Sequence, residues 1–329
     1  MSASPQAIVV GSYVQDHAWL VDQFPQPGET RRARGFNTGP GGKGFNQAVA
    51  CFRQGVPTLF IGAIGEDHLG VNARRFAERE GMECRWKVLD DAFTSASSIV
   101  VDASGQNLIA VDLAANEKLG GQFVRAQADA FARAKLLLTQ LETDLDAVAA
   151  ALELGHAANL TCVINPAPVH PELTLTLLRA ADVITPNETE FSLLCARFLN
   201  IEVHADALAQ MNDSTLHTLA RRLTDASVVV TLGRHGCFVS HDEQQRRGDT
   251  ASFYRMSGET VNPIDSTGAG DAFSGALAAA MLRLENRPFA DAVRHANRVA
   301  AMSTEIVGTA PAMPRYDDVI ARFRDGGSR

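Results

Sequence analysis

Asp265-Ser266-Thr267-Gly268-Ala269-Gly270-Asp271 separates two segments of different character. Before it, Val261-Asn262-Pro263-Ile264 reads as the end of a strand. After it, Ala272-Phe273-Ser274-Gly275-Ala276-Leu277-Ala278-Ala279-Ala280-Met281 reads as a helix rich in small residues. A loop with two glycines therefore opens a helix, with an acid just inside the helix start. Free amides and the positive end of the helix dipole make such a place an anion site. Glycine lets a ligand approach the backbone closely. An acid there repels an anion that is merely held, but it suits a general base beside a phosphoryl group in transfer. The base takes the proton of an attacking hydroxyl while the amides take up charge on the phosphoryl oxygens. The seven residues alone also fit a plain strand-to-helix turn with Asp at the helix start. The chain has no G-x-x-x-x-G-K-[ST], so the usual P-loop is excluded.

Thr38-Gly39-Pro40-Gly41-Gly42-Lys43-Gly44 is a second glycine-rich loop, opening a helix predicted over 45–53. Lys43 offers a point charge for a phosphate. Asn46, in the first turn, can offer its amide to a hydroxyl. A flexible loop before an amphipathic helix explains the same residues, but two such loops in one chain favour a ligand.

Outward from these loops, residues 7–10 read as a buried strand ending at Gly11-Ser12, with Asp16 just past it. Residues 19–38 have no helical period and carry Pro25, Pro27 and Gly28, which points to a small β excursion. Strands 97–102 and 107–111, joined at Ser104-Gly105, form a hairpin that completes it. A strand at 58–62 precedes a helix over 71–80. Then come a helix at 122–133, a strand at 135–140 with Glu142 past it, a helix at 145–155 and a strand at 161–164. The turn Asn165-Pro166-Ala167-Pro168 leads on to a strand at 183–185, a helix opened by Pro186-Asn187-Glu188-Thr189-Glu190, and strands at 228–233 and 237–240. This alternation predicts a mostly parallel sheet covered on both faces. Asp16, Glu142, Asn187, Thr231, Asp265 and Asp271 are all expected at strand C-terminal ends, where open α/β sheets bind ligands.

The 329 residues suffice for a large core, and 46% hydrophobic with 21% charged residues suits a soluble enzyme. A net charge of −8 excludes a basic footprint and with it a nucleic-acid partner. Any anionic substrate must be held by local amides and a few basic side chains. Cys51, Cys84, Cys162, Cys195 and Cys237 are far apart and read as free thiols of a reducing compartment. The nine histidines show no zinc-type pairing, and His235 and His295 read as incidental. Ile8-Val9-Val10 is too short for a signal core or a membrane span, so a cytoplasmic protein is expected. The tail 325–329 is expected to fray.

The two glycine-rich stretches, the second continuing as Phe45-Asn46-Gln47-Ala48-Val49-Ala50, resemble the two signatures of the ribokinase-like (PfkB) sugar kinases. The resemblance runs through nearly the whole chain. Further matches, in order, are Gly11-Ser12 with Asp16-His17, Phe24-Pro25-Gln26-Pro27-Gly28-Glu29-Thr30, Gln140-Leu141-Glu142, Asn165-Pro166-Ala167-Pro168, residues 184–190 and Thr231-Leu232-Gly233. It implies one domain over 1–329, a Rossmann-type three-layer α/β sandwich with a small β-sheet lid from segments at about 12–38 and 95–114. It implies ATP-dependent phosphorylation of a primary sugar hydroxyl, D-ribose foremost, with Asp271 as base and the amides of Gly268, Ala269 and Gly270 as anion hole. By the same resemblance Asp16, Gly42, Lys43, Asn46, Glu142 and Asp271 line the sugar site, where each carboxylate can accept vicinal hydroxyls. Asn187, Thr231, Gly233, Gly236, Gly270 and Asn297 hold ATP, and Glu190 acts through the water shell that Mg²⁺ keeps. A K⁺ ion is implied beside the anion hole, with Asp265, Thr267, Ser303, Ile306 and Gly308 as its ligands. The resemblance also implies that the lid excludes water from the reaction and pairs protomers into a homodimer.

Two positions depart from the family pattern. Val14 stands where an asparagine is usual, two residues before the aspartate, and Ala312 stands where a serine ligand of the cation is often found. The first opens the alternative of a nucleoside or another sugar as acceptor; the second bears on K⁺ activation. A catalytically dead sugar- or nucleotide-binding regulator is the rival from another class, and the intact Asp271 with its glycine loop opposes it. A dehydrogenase is disfavoured because no G-x-G-x-x-G follows the first strand.

Overall fold

The computed structural model describes residues 4–103 and 106–324. β1 (Ala7–Val10) is followed by β2 (Val14–Leu20) and its antiparallel partner β3 (Gly35–Gly41), which runs into α1 (Lys43–Arg53). β4 (Thr58–Gly65), α2 (His68–Glu80) and β5 (Glu83–Leu89) come next, then the hairpin β6 (Ala96–Val101) and β7 (Asn107–Asp112). Short helices α3 (Gly121–Arg125) and α4 (Ala128–Phe131) lead to β8 (Leu136–Thr139), α5 (Leu145–Ala157), β9 (Thr161–Ile164), α6 (Leu175–Arg179) and β10 (Val183–Ile184). α7 (Glu188–Leu199), α8 (Asp213–Leu223), β11 (Ser227–Thr231), β12 (Cys237–Ser240) and β13 (Phe253–Met256) follow. The described chain closes with α9 (Ala269–Arg283), α10 (Phe289–Ser303) and α11 (Tyr316–Arg324).

Nine strands form one sheet in the order β13-β12-β11-β10-β9-β8-β1-β4-β5, and β3-β2-β6-β7 form a separate small sheet. The large sheet is parallel from β11 to β5; β12 pairs antiparallel with both of its neighbours. Side chains along a strand alternate between faces, and β1 shows the consequence. Ala7 and Val9 join the core under α1, α9 and α10, whereas Ile8 and Val10 join the core under α5 and α7. Both faces are covered, so the central strands are continuous apolar runs. Among the described residues no helix is long and apolar enough to cross a membrane, and all five cysteines are free.

Several expectations need correction. Residues 261–264 are not a strand: Pro263 has no N–H to give a ladder, Ile264 is 69% exposed, and its amide donates to the Thr304 carbonyl at 2.7 Å. The preceding strand is β13, at the sheet's edge, so Asp265 and Asp271 arrive from an irregular segment rather than from a strand C-terminus. Asp16 is not in a loop past β1 but is the third residue of β2 in the small sheet. Residues 38–41 belong to β3 rather than to a loop. The helix expected over 122–133 is broken where Gln127 turns its side-chain amide to the Phe123 carbonyl at 3.1 Å. The turn at Ser104-Gly105 and the tail 325–329 lie outside the described residues.

Candidate active site

Gly268 takes the left-handed conformation, φ 77°, as the N-cap residue of α9, and no side chain caps this helix start. The Ala269 amide donates to the Ser266 carbonyl at 3.2 Å and closes the turn. A Cβ built on Gly270 would meet nothing within 4 Å, so open space lies beside its backbone. One residue on, Asp271 is 6% exposed in the first turn of α9.

α1 supplies the partners of Asp271. Asn46 Nδ2 donates to one carboxylate oxygen at 2.9 Å and Gln47 Nε2 to the other at 3.0 Å. Behind them runs a buried chain of amides. Gln140 donates to Gln47 at 2.7 Å, Gln47 donates to Asn165 at 2.9 Å, and Asn165 donates to the Thr185 carbonyl at 2.7 Å. Asn46 Oδ1 is buried without a partner among the described residues. An orphaned acceptor there suits a ligand hydroxyl.

Lys43 opens α1 beside a cleft of about 200 Å³ that Asn165, Asn187, Glu190, Thr231, Gly268, Gly270 and Asp271 also line. Burial works against its charge, but the carboxylates of Asp271, Glu142 and Glu190 together hold its pKa above the ordinary lysine value. Glu142 accepts the Ser12 hydroxyl at 2.7 Å and the Lys43 amide at 2.9 Å. Gly42, φ 86°, lets this segment pass so close to β2 that a Cβ would lie 2.6 Å from the Val14 nitrogen. Asp16 accepts Ser97 Oγ at 2.6 Å and Thr309 Oγ1 at 3.1 Å, and burial pushes its pKa up to about 6. Val14, 3% exposed, starts β2 opposite Gly41.

On the far side, Asn187 and Glu190 form a capping box at the start of α7, and Asn187 bridges in parallel to Thr231. Burial raises the Glu190 pKa to about 7. Gly233, Gly236 and Asn297 stand back from the cleft lining. Gly233 starts a single helical turn at 233–235. A Cβ on Gly236 would lie 2.0 Å from the Met256 carbonyl, and Asn297 donates to the Ser257 carbonyl at 2.8 Å. These two shape the 256–258 segment. Asp265 accepts the amides of Thr267 at 2.9 Å and Gly308 at 3.0 Å, which draws the end of α10 at Ser303 and the loop carrying Ile306 and Gly308 to the start of α9. Ala312 is buried in the turn at 310–312. His295 bonds Gln54 at 2.9 Å in a helix contact, and His235 is exposed.

Gln47, Asn165, Ser12, Ser97 and Thr309 contact the site acids or their partners, and sequence reasoning did not single them out. Gln47 carries a faint signal, a polar residue between Asn46 and the apolar run Ala48-Val49-Ala50, and in the structure it is fully buried.

A family model for pfkB family carbohydrate kinases matches residues 4–315. The chain belongs to this family. As a pfkB carbohydrate kinase it is a phosphotransferase of the ribokinase-like kind. It is 33% identical over 313 residues to a ribokinase of Haemophilus influenzae, covering 95% of this chain and 96% of that one. It is 28% identical over 313 residues to a deoxyribokinase of Salmonella typhi, covering 94% and 95%. The fold matches a ribokinase of Giardia lamblia with a TM-score of 0.87 at 25% identity, covering 99% and 100%. It also matches an Arabidopsis thaliana ribokinase complexed with ribose and ATP, with a TM-score of 0.80 at 24% identity, covering 97% and 98%.

Proposed function

We propose that this kinase transfers the γ-phosphoryl group of ATP to the primary hydroxyl of D-ribose, giving D-ribose 5-phosphate. The observation that carries the reading is Asp271, fixed by Asn46 and Gln47, one residue from the open backbone of Gly270 at an uncapped helix start. The acid accepts the proton of the attacking hydroxyl as the new O–P bond forms and the bond to the bridging oxygen of ADP breaks. Amides of Gly268 and Gly270 take up charge on the phosphoryl oxygens, the Ala269 amide being committed to the turn. Lys43 contributes a fixed positive charge on the same side.

Asp16, Glu142 and the free Oδ1 of Asn46 are acceptors for the sugar hydroxyls, with Gly42 and Lys43 shaping the floor. Asn187 and Thr231 flank the nucleotide, with Gly233 in the turn that follows β11; Gly236 and Asn297 act on it through the 256–258 segment. Glu190 suits the water shell of Mg²⁺, because a cation offsets the desolvation that burial imposes on this carboxylate. K⁺ would be held by carbonyls of Thr267, Ser303, Ile306 and Gly308, near an Asp265 carboxylate already engaged with two amides. The small sheet is the lid, and its exposed Phe36, Leu108, Ile109 and Val111 suit pairing with a second copy.

The second reading is a different acceptor, 2-deoxyribose or a nucleoside. Val14 favours it, because an apolar residue removes a partner that a hydroxyl would use. The test is coupled ADP release with Mg·ATP and D-ribose, 2-deoxyribose, fructose, adenosine or pseudouridine, each in K⁺ and in Na⁺. D-Ribose is expected to give the highest kcat/KM. A higher value for 2-deoxyribose or a nucleoside transfers the acceptor to that compound, and silence across the panel overturns this acceptor class.

A further inference from the structure

Thr309 stands where three parts of the molecule meet. It is 7% exposed. Its hydroxyl lies 3.1 Å from Asp16 Oδ2 in β2 and 3.1 Å from the Pro40 carbonyl in β3. Its methyl group faces the N-cap of α9: a Cβ on Gly268 would lie 3.4 Å from Thr309 Cγ2. The preceding residue, Gly308, donates its amide to Asp265 at 3.0 Å, and Asp265 in turn accepts the Thr267 amide. Two consecutive residues thus bind the small sheet to the loop that opens α9. Ser97 also donates to Asp16, at 2.6 Å, but it belongs to β6 of the same small sheet and moves with it. Thr309 alone of these two donors crosses from the small sheet to the body.

We propose that Thr309 is a positioning residue that couples the two substrate sites: its one hydroxyl proton, shared between the Asp16 carboxylate and the Pro40 carbonyl, holds the small sheet while its methyl seats Gly268. Binding of sugar under the small sheet and of nucleotide at the start of α9 then each favour the arrangement the other needs. Such mutual favouring is a coupling free energy and is reciprocal. The inference rests on the reading of Asp16 as a sugar ligand and of Gly268 to Gly270 as the phosphoryl site.

The test compares Thr309→Val, which keeps the branched shape but loses the hydroxyl, with Thr309→Ser and Ser97→Ala. D-Ribose affinity is measured by calorimetry with and without Mg²⁺ and a non-hydrolysable ATP analogue. In the wild type the nucleotide analogue is expected to tighten ribose binding. Thr309→Val is expected to remove roughly tenfold of that enhancement, the scale of one hydrogen bond to a charged group. Thr309→Ser keeps the hydroxyl but loses the methyl against Gly268, so it is expected to bind ribose as the wild type does without nucleotide and to lose part of the enhancement with it. Ser97→Ala is expected to weaken ribose equally with and without nucleotide. An unchanged enhancement in Thr309→Val, or none in the wild type that binds both ligands, overturns the coupling. Hydrogen exchange of residues 36–41 in the sugar-free protein gives a readout that needs no acceptor. Thr309→Val is expected to speed it at least several-fold, and unchanged exchange overturns the link between Thr309 and β3. If ribose fails to bind the wild type, the acceptor assignment falls, while the exchange result still decides the role of Thr309.

Discussion

Asp271 takes its two side-chain hydrogen bonds from consecutive residues of one helix, Asn46 at 2.9 Å and Gln47 at 3.0 Å. Both donors point at oxygens, so an amide at position 271 would set one NH₂ group against another donor and also remove the proton acceptor. Asp271→Asn is therefore expected to lower kcat by about 10²- to 10⁴-fold, the usual worth of a general base. Nucleotide affinity should change by less than about threefold, since the contacts proposed for nucleotide come from other residues. Steady-state kinetics and a nucleotide titration on the same preparation check this; a kcat within tenfold of wild type would remove Asp271 from the base role. Asp271 itself was readable in the sequence, although the seven residues alone also fit a plain helix start: the second glycine-rich loop and the ordered matches to the family gave it the base role. Thr309 was not. It meets Asp16 across 293 positions of chain, and nothing in Gly308-Thr309-Ala310-Pro311 points toward β2. Gln47 gave only a faint signal for the same reason: its partners come from α9 and from the segments just after β8 and β9.

α1 and α9 cross at Gly275, one helical turn past Asp271. A Cβ there would lie 2.3 Å from the Gln47 carbonyl and 2.7 Å from Ala50 Cβ, so the helices touch backbone to backbone. This approach is what lets Gln47 reach the Asp271 carboxylate. Gly275→Ala is expected to force α9 away from α1, costing about 1–3 kcal/mol of stability by overpacking. It should also lower kcat, because Asp271 would move off its donors while every site side chain remains present. Thermal melts and kinetics on the variant check both; wild-type values for both would show that the helices have slack the packing does not suggest. At this scale the sequence was a good guide wherever burial was two-sided. Leu136-Leu137-Leu138 in β8 and Val228-Val229-Val230 in β11 are unbroken apolar runs; β8 is a central parallel strand, and β11 is an interior strand parallel to β10 and antiparallel to β12. It was a poor guide at the edges. β5, Glu83–Leu89, interleaves charged and apolar residues along a mostly half-buried strand. Residues 261–264 begin and end with β-branched residues, but the Asn262 and Ile264 amides turn to Glu305 and Thr304 just past α10 rather than to a neighbouring strand.

The whole molecule gathers carboxylates at one place, and the folded state bears the consequence. Asp271, Glu142 and Glu190 surround Lys43, and Asp16 lies close enough to Glu142 and Asp271 to feel their charge. Glu190 shows the effect on folding most directly, because burial raises its pKa from 4.5 to about 7. A group that holds its proton more tightly in the folded state contributes stability while protonated in both states, and that contribution is lost as the pH rises through its folded pKa. For Glu190 the contribution is complete below about 4.5 and gone above about 7. Glutamine keeps the length of the side chain and serves in a capping box, but it does not titrate. Glu190→Gln should therefore gain on the wild type by roughly 1–3 kcal/mol between pH 5 and pH 8, on top of any pH-independent offset from the altered cap. Urea denaturation of both proteins at several pH values measures this gap. A gap that stays flat, or shrinks toward pH 8, would mean that Glu190 is not a strained anion in the folded cleft. A gap that widens would mean that the unliganded protein carries an unfavourable charge where the proposed reaction needs a cation, so the site is built at the expense of the fold's own stability.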